Sequence, residues 1–170
     1  MKEFCDWLEQ TPFSQWVLSS PSIWAYPTIL YLHSVGMIIV AGICAAINIR
    51  LLGVAPHLPI RPLEKLYPLM WLGFAISAVT GTTLTIADAS TKLYNPDFWV
   101  KMFFIFLAVW LLQSMRKTVF GFPQLDSAPL PRSATRMAWA SLFCWFAAIT
   151  AGRLLAYLGP VSGGGGVSNR

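Results

Sequence analysis

The chain has 170 residues, of which 56% are hydrophobic, 14% aromatic and only 11% charged. About a quarter of a soluble domain's residues are charged, and a water-soluble fold of this size could not hide so much apolar surface. The net charge of +5 comes from Lys and Arg scattered through the connections and not clustered with aromatics, which excludes a nucleic-acid surface and suits charges that orient a protein in a bilayer.

Residues 1–23 read as an N-terminal amphipathic, interfacial segment. Phe4, Trp7 and Leu8 fall on one side of a short helix, and Lys2, Glu3, Asp6 and Glu9 on the other. That helix is net negative, so attraction to anionic lipid does not hold it. Thr11-Pro12 reads as an N-cap followed by Pro at the first helical position. The segment is expected to act as a flap over one end of the protein. Met1 to Gln10 carries no apolar run of a cleavable leader, so the first long apolar helix is expected to target the chain and stay in place.

Residues 24–158 predict an all-α, four-helix transmembrane bundle, with spans at about 24–52, 66–88, 98–117 and 136–158. The first is uncharged from Trp24 to Ile49, enough for a hydrocarbon core that needs roughly 20 residues. Trp24, Tyr26 and Tyr31 form an aromatic belt at its start, Gly42 and Ala46 a small-residue pair, and Gly53 then Pro56 stop it. A Pro-rich loop containing His57 follows. In the second span Gly73, Ser77 and Gly81 recur every four residues as a packing seam for another helix. Four threonines crowd its second half, and Asp88 closes it. Residues 88–97 read as a polar turn. The third span is rich in aromatics and takes Lys101 into its first turn; a second Pro-rich loop covers 118–135. The fourth span carries Arg153 in its last two turns, and 159–170 is a flexible Gly-rich tail. Cys5, Cys44 and Cys144 show no metal-ligand spacing, and no structural disulfide is expected.

Four spans put both termini and the 88–97 turn on one side, with Lys2, Lys92, Lys101, Arg153 and Arg170. The other side holds Arg50, Arg61, Lys65, Arg116, Lys117, Arg132 and Arg136. The excess places the two Pro-rich loops in the cytoplasm and both termini in the periplasm, in a bacterial inner membrane.

On the helical rise, His33 lies about 14 Å below the outer edge and Arg153 roughly 8 Å below it. Asp88 and Lys101 share that layer. A charge inside a span costs several kcal/mol unless it is paired or solvated. Three readings are open. Lys101 and Arg153 snorkel, Asp88 caps or pairs with one of them, and His33 bonds a hydroxyl such as that of Thr85. Or His33 is an axial ligand, its metal the iron of a haem b, with Lys101 and Arg153 near the propionates and Met102, Met37 or a second copy's His33 as the other ligand. Or His33 and the two bases form an anion or proton path.

The segments LHSVGMIIVAGICAAINIRLLG, TGTTL, FWVK and AGRLLAYLG resemble an uncharacterised family of small bacterial four-helix inner-membrane proteins. His33, Gly36, the run Arg50 to Gly53, Gly81, Lys101, Gly152, Arg153, Ala156 and Tyr157 carry the resemblance, which spans all four helices. That family is loosely similar to copper-resistance-D-type membrane proteins and small cytochromes b. The chain differs from these in having Gln113, Ser114 and Met115 where a second histidine often stands, and Asn48 where an acid is common.

No nucleophile–base pair, phosphate loop or metal cluster appears, which argues against an independent enzyme. The small-residue seam, the aromatic third span and the buried histidine suggest a small integral membrane subunit of a larger respiratory or redox complex, structural or carrying one haem b for electron transfer. Its partners would be the lipid bilayer and other membrane subunits or further copies of itself. The competing expectation is a stand-alone transporter or ion-handling protein. The orientation predicts that a phosphatase reporter active only outside the cytoplasm works when fused after Arg170; activity there of a reporter that works only in the cytoplasm reverses it.

Overall fold

In a computed structural model, residues 2–121 and 131–158 are described, the side chains of Lys2 and of residues 155–158 excepted. The tail at 159–170, most of the second Pro-rich loop, and the side chains of Ala156 and Tyr157 therefore lie outside the described residues. The fold is all-α, with no strand among the described residues. Two short helices, α1 (Lys2–Glu9) and α2 (Pro12–Ser19), precede the long α3 (Tyr26–Leu51). Then come α4 (Tyr67–Ala87), the short α5 (Ala89–Leu93), α6 (Pro96–Met115) and α7 (Arg132–Leu158). A 3₁₀ turn at Arg61–Leu66 leads into α4, and a π turn at Arg116–Phe120 extends α6. The four long helices are each long and apolar enough to cross a membrane. Large apolar side chains stand fully out from them, such as Ile38 at 69%, Phe106 at 67% and Phe146 at 72% exposure, an exterior that suits lipid and not water.

Local chemistry sets the helix ends. Thr11 caps α2, its hydroxyl accepting from the Ser14 N–H at 3.3 Å, and Pro12 follows in the first turn. Asn95 does the same for α6, accepting from the Asp97 N–H at 2.9 Å ahead of Pro96. Beyond α3, Gly53 takes φ +93°, a left-handed conformation that suits glycine. Arg50 then folds the loop back, donating from Nε to the Leu58 carbonyl at 2.5 Å and from Nη2 to the Pro56 carbonyl at 2.9 Å. The segment 88–97, read as a polar turn, contains the additional helix α5.

α3 packs most extensively on α4, and α6 on α7; α3 and α7 join the two pairs. α4 and α6 barely touch along their lengths. The main core lies toward the loop end, where Val40, Cys44, Ile47 and Leu51 meet Met70, Leu112, Met115, Ala134 and Ala138. Tyr67 closes that end, with Phe120 edge-on at 5.5 Å and the Arg116 guanidinium over its ring. Asn48, fully buried, donates to the Ser141 hydroxyl at 3.0 Å and ties α3 to α7. The cysteines are free: Cys44 donates to the Met70 sulfur at 3.5 Å, while Cys144 packs with Ala108 and Leu111 between α6 and α7.

At the opposite, terminal end α1 and α2 fold over the bundle. Cys5, Ser14 and Val17 are buried, while Phe4, Trp7, Phe13 and Trp16 face outward. Glu9 turns inward and accepts from the Ser90 N–H at 2.6 Å, joining α1 to the start of α5. The expected flap therefore has a side chain–backbone fastening.

The seam on α4 is filled from within the chain, so it is no surface left open for another subunit. A Cβ at Gly36 would stand 2.6 Å from the Gly73 carbonyl oxygen, and one at Gly73 would meet Ile39 at 2.8 Å. Gly42 faces open space. Gly36→Ala is expected to cost about 1–3 kcal/mol by overpacking, read as a lower thermal midpoint in mild detergent, while Gly42→Ala, with open space around it, does not lower the midpoint and raises it slightly through helix propensity.

Candidate functional site

His33 sits on α3 facing Ser77, Thr80 and Gly81 of α4. Its Nδ1 lies 3.0 Å from the Ser77 carbonyl oxygen and 3.2 Å from Thr80 Oγ1. A carbonyl only accepts, so Nδ1 carries the proton. Thr80 gives its own proton to the Ile76 carbonyl at 2.6 Å and keeps lone pairs for the imidazole. The Ser77 hydroxyl returns the contact by donating to the His33 carbonyl at 3.0 Å. His33 and Ser77 thus exchange two hydrogen bonds across the helix pair. The neutral imidazole fixed in this way carries a lone pair on Nε2, the arrangement that prepares a histidine for a metal.

Gly81 lets the ring lie close. A Cβ there would stand 2.9 Å from His33 Cε1 and 3.2 Å from Nδ1. The partners expected from the sequence differ from those found: the Thr85 hydroxyl donates to the Gly81 carbonyl at 2.8 Å within its own helix, and Thr80 and Ser77 meet the histidine. The four-residue repeat Gly73, Ser77, Gly81 pointed to this face of α4. The Ser77 backbone carbonyl, the main acceptor, leaves no mark in the identity of a side chain.

The other residues of the layer separate. Asp88 is 3.9 Å from Lys92 Nζ, which also donates to the Leu84 carbonyl. Burial holds the Lys92 ammonium below its ordinary pKa, with Asp88 opposing the shift and Lys101 adding to it. Lys101 and Lys92 are close enough to His33 for their charges to act on it. Lys101 lies across α7 at Gly152. Arg153 is exposed. Met102 is half-buried on α6 and Met37 half-buried on α3, one turn beyond His33. Neither methionine is hydrogen-bonded to His33. His57 is exposed in the loop at the other end of the bundle.

A haem is a demanding occupant. The donor set fits on one side: a neutral imidazole with its Nδ1 proton fixed and glycine beneath the ring. Among the described residues no group of three or more His, Cys, Asp or Glu could hold a metal ion. A groove of about 350 Å³ on α3 and α4 is lined by Leu32, Ala75, Ile76, Val79 and Thr80. It is open to the surroundings and not enclosed by the bundle, and His33 is not among its lining residues.

No family model, curated protein or solved structure matches the chain.

Gly81→Ala is expected to cost about 1–3 kcal/mol because the new methyl meets the imidazole. In the His33→Ala background the same change should cost much less, since the opposing ring is gone. Additive losses in the thermal midpoints of the four proteins contradict this geometry.

Proposed function

We propose that the protein is a small integral subunit of a larger redox complex in a bacterial inner membrane, and that its His33 would hold the iron of a haem b shared with another chain. The carrying observation is the fixed Nδ1–H tautomer of His33, which leaves Nε2 as a ligand in an otherwise apolar span. The haem would supply one-electron transfer. The chain's own residues do the rest. The Ser77 carbonyl and Thr80 hydroxyl keep the proton on Nδ1 and set the ring plane. Gly81 permits the close approach. The groove beside Thr80 opens outward, which favours a partner chain as the source of the second ligand. The lipid-facing exterior and the basic loop side support a multi-pass placement with both termini in the periplasm.

Purified from membranes in mild detergent, the protein is expected to show a Soret band that His33→Ala abolishes and His57→Ala retains. A colourless preparation with no co-purifying membrane subunit contradicts the reading.

A further inference from the structure

Lys101 is a charge inside a span with no acidic partner among the described residues. It stands five residues into α6, roughly 8 Å along the axis from Pro96. It is half-buried, and its stem crosses onto α7. A Cβ at Gly152 would lie 3.5 Å from Lys101 Cε, 3.6 Å from Cδ and 3.7 Å from Nζ, ordinary contact distances.

None of the described acids at this end forms an ion pair with Lys101. Asp88 faces Lys92 at 3.9 Å, and Glu9 accepts from the Ser90 N–H at 2.6 Å. Asp97, one turn earlier on α6, forms no ion pair with Lys101. Glu3 and Asp6 are exposed on α1. Lys92 adds a second positive charge nearby.

Two further observations say what kind of anion fits. The exposed aromatics Trp24, Tyr94 and Trp99 mark this end as the level of the headgroups. Beside Lys101 the bundle is open, because α4 and α6 barely touch. A free anion would have to leave water to reach this depth. A lipid phosphate already resides there, with apolar chains to lay along the opening.

We infer that Lys101 seats the phosphate of an anionic phospholipid whose acyl chains run down the open side of the bundle between α4 and α6. The ammonium acts as a point charge on the phosphate, and Lys92 adds to the local positive field. The seat is independent of a haem at His33.

The test is native mass spectrometry of the full chain released from nanodiscs holding equal amounts of phosphatidylglycerol and phosphatidylcholine. Phosphatidylglycerol should be retained over phosphatidylcholine by about fivefold, the effect of one lysine near the surface. Lys101→Gln should lose that preference, while Lys101→Arg and the loop-side Lys117→Gln keep it. Equal retention of both lipids by the unaltered protein, or an undiminished preference in Lys101→Gln, overturns the proposal. Displacement of the lipid by millimolar inorganic phosphate also overturns it, in favour of a free-anion site. Should Lys101→Gln not fold, the unaltered protein and Lys101→Arg decide the matter: phosphatidylglycerol should raise both thermal midpoints more than phosphatidylcholine, and equal effects count against the seat. Lipid retention is read by mass, so it holds or fails separately from the visible spectrum that tests haem.

Discussion

The reciprocal bond between His33 and Ser77 is the constraint on which the rest of the site depends. Each residue gives a proton to the other's backbone carbonyl, at 3.0 Å in both directions. This is possible only because Gly36 and Gly73 bring the two helices together; a methyl at Gly36 would fall 2.6 Å from the Gly73 oxygen. In a span, where water does not compete, such bonds satisfy polar groups that would otherwise be costly to bury. They also decide chemistry. The carbonyl fixes one tautomer, and that tautomer leaves one ring nitrogen for a ligand.

The bundle divides into a packed half and a polar half. Toward the loops, Cys44, Ile47, Tyr67, Met70 and Met115 are almost wholly enclosed. Toward the termini, the interior carries His33, Ser77, Thr80 and Lys101, and the two hairpins α3–α4 and α6–α7 separate along one side. The packed half can hold the helices while the polar half remains available for recognition. α1 and α2 cover the terminal end, with Glu9 fastened to Ser90 and the aromatic rings turned outward. The fastening explains how a net-negative amphipathic helix stays in place without attraction to anionic lipid.

Much of this architecture was legible in the sequence because it follows from composition and spacing. Four apolar runs of bilayer length, punctuated by Gly53, Pro56 and Asp88, define four long helices, and the repeat through Gly73, Ser77 and Gly81 marks a contact face. Three things were not legible. That repeat could not say which helix fills it, and α3 does so within the chain. The histidine's principal acceptor is a backbone carbonyl, which any residue at 77 would provide; side-chain identity suggested Thr85 instead. Depth along a helix placed Lys101 and Arg153 in one layer, but rotation about the axis separates them: Lys101 turns to α7 and Arg153 faces outward. Residues 88–97 read as turn because Asp, Ser and Asn favour turns, yet tertiary contacts with α1 support a helix there.

The most direct test of the account is the protonation pattern of the His33 ring in lipid at neutral pH, read from its two nitrogen-15 resonances. A neutral ring with the proton on Nδ1 is expected, a pattern lost when Gly81→Ala pushes the ring away from Ser77. A neutral ring protonated on Nε2, or a doubly protonated imidazolium, would contradict it.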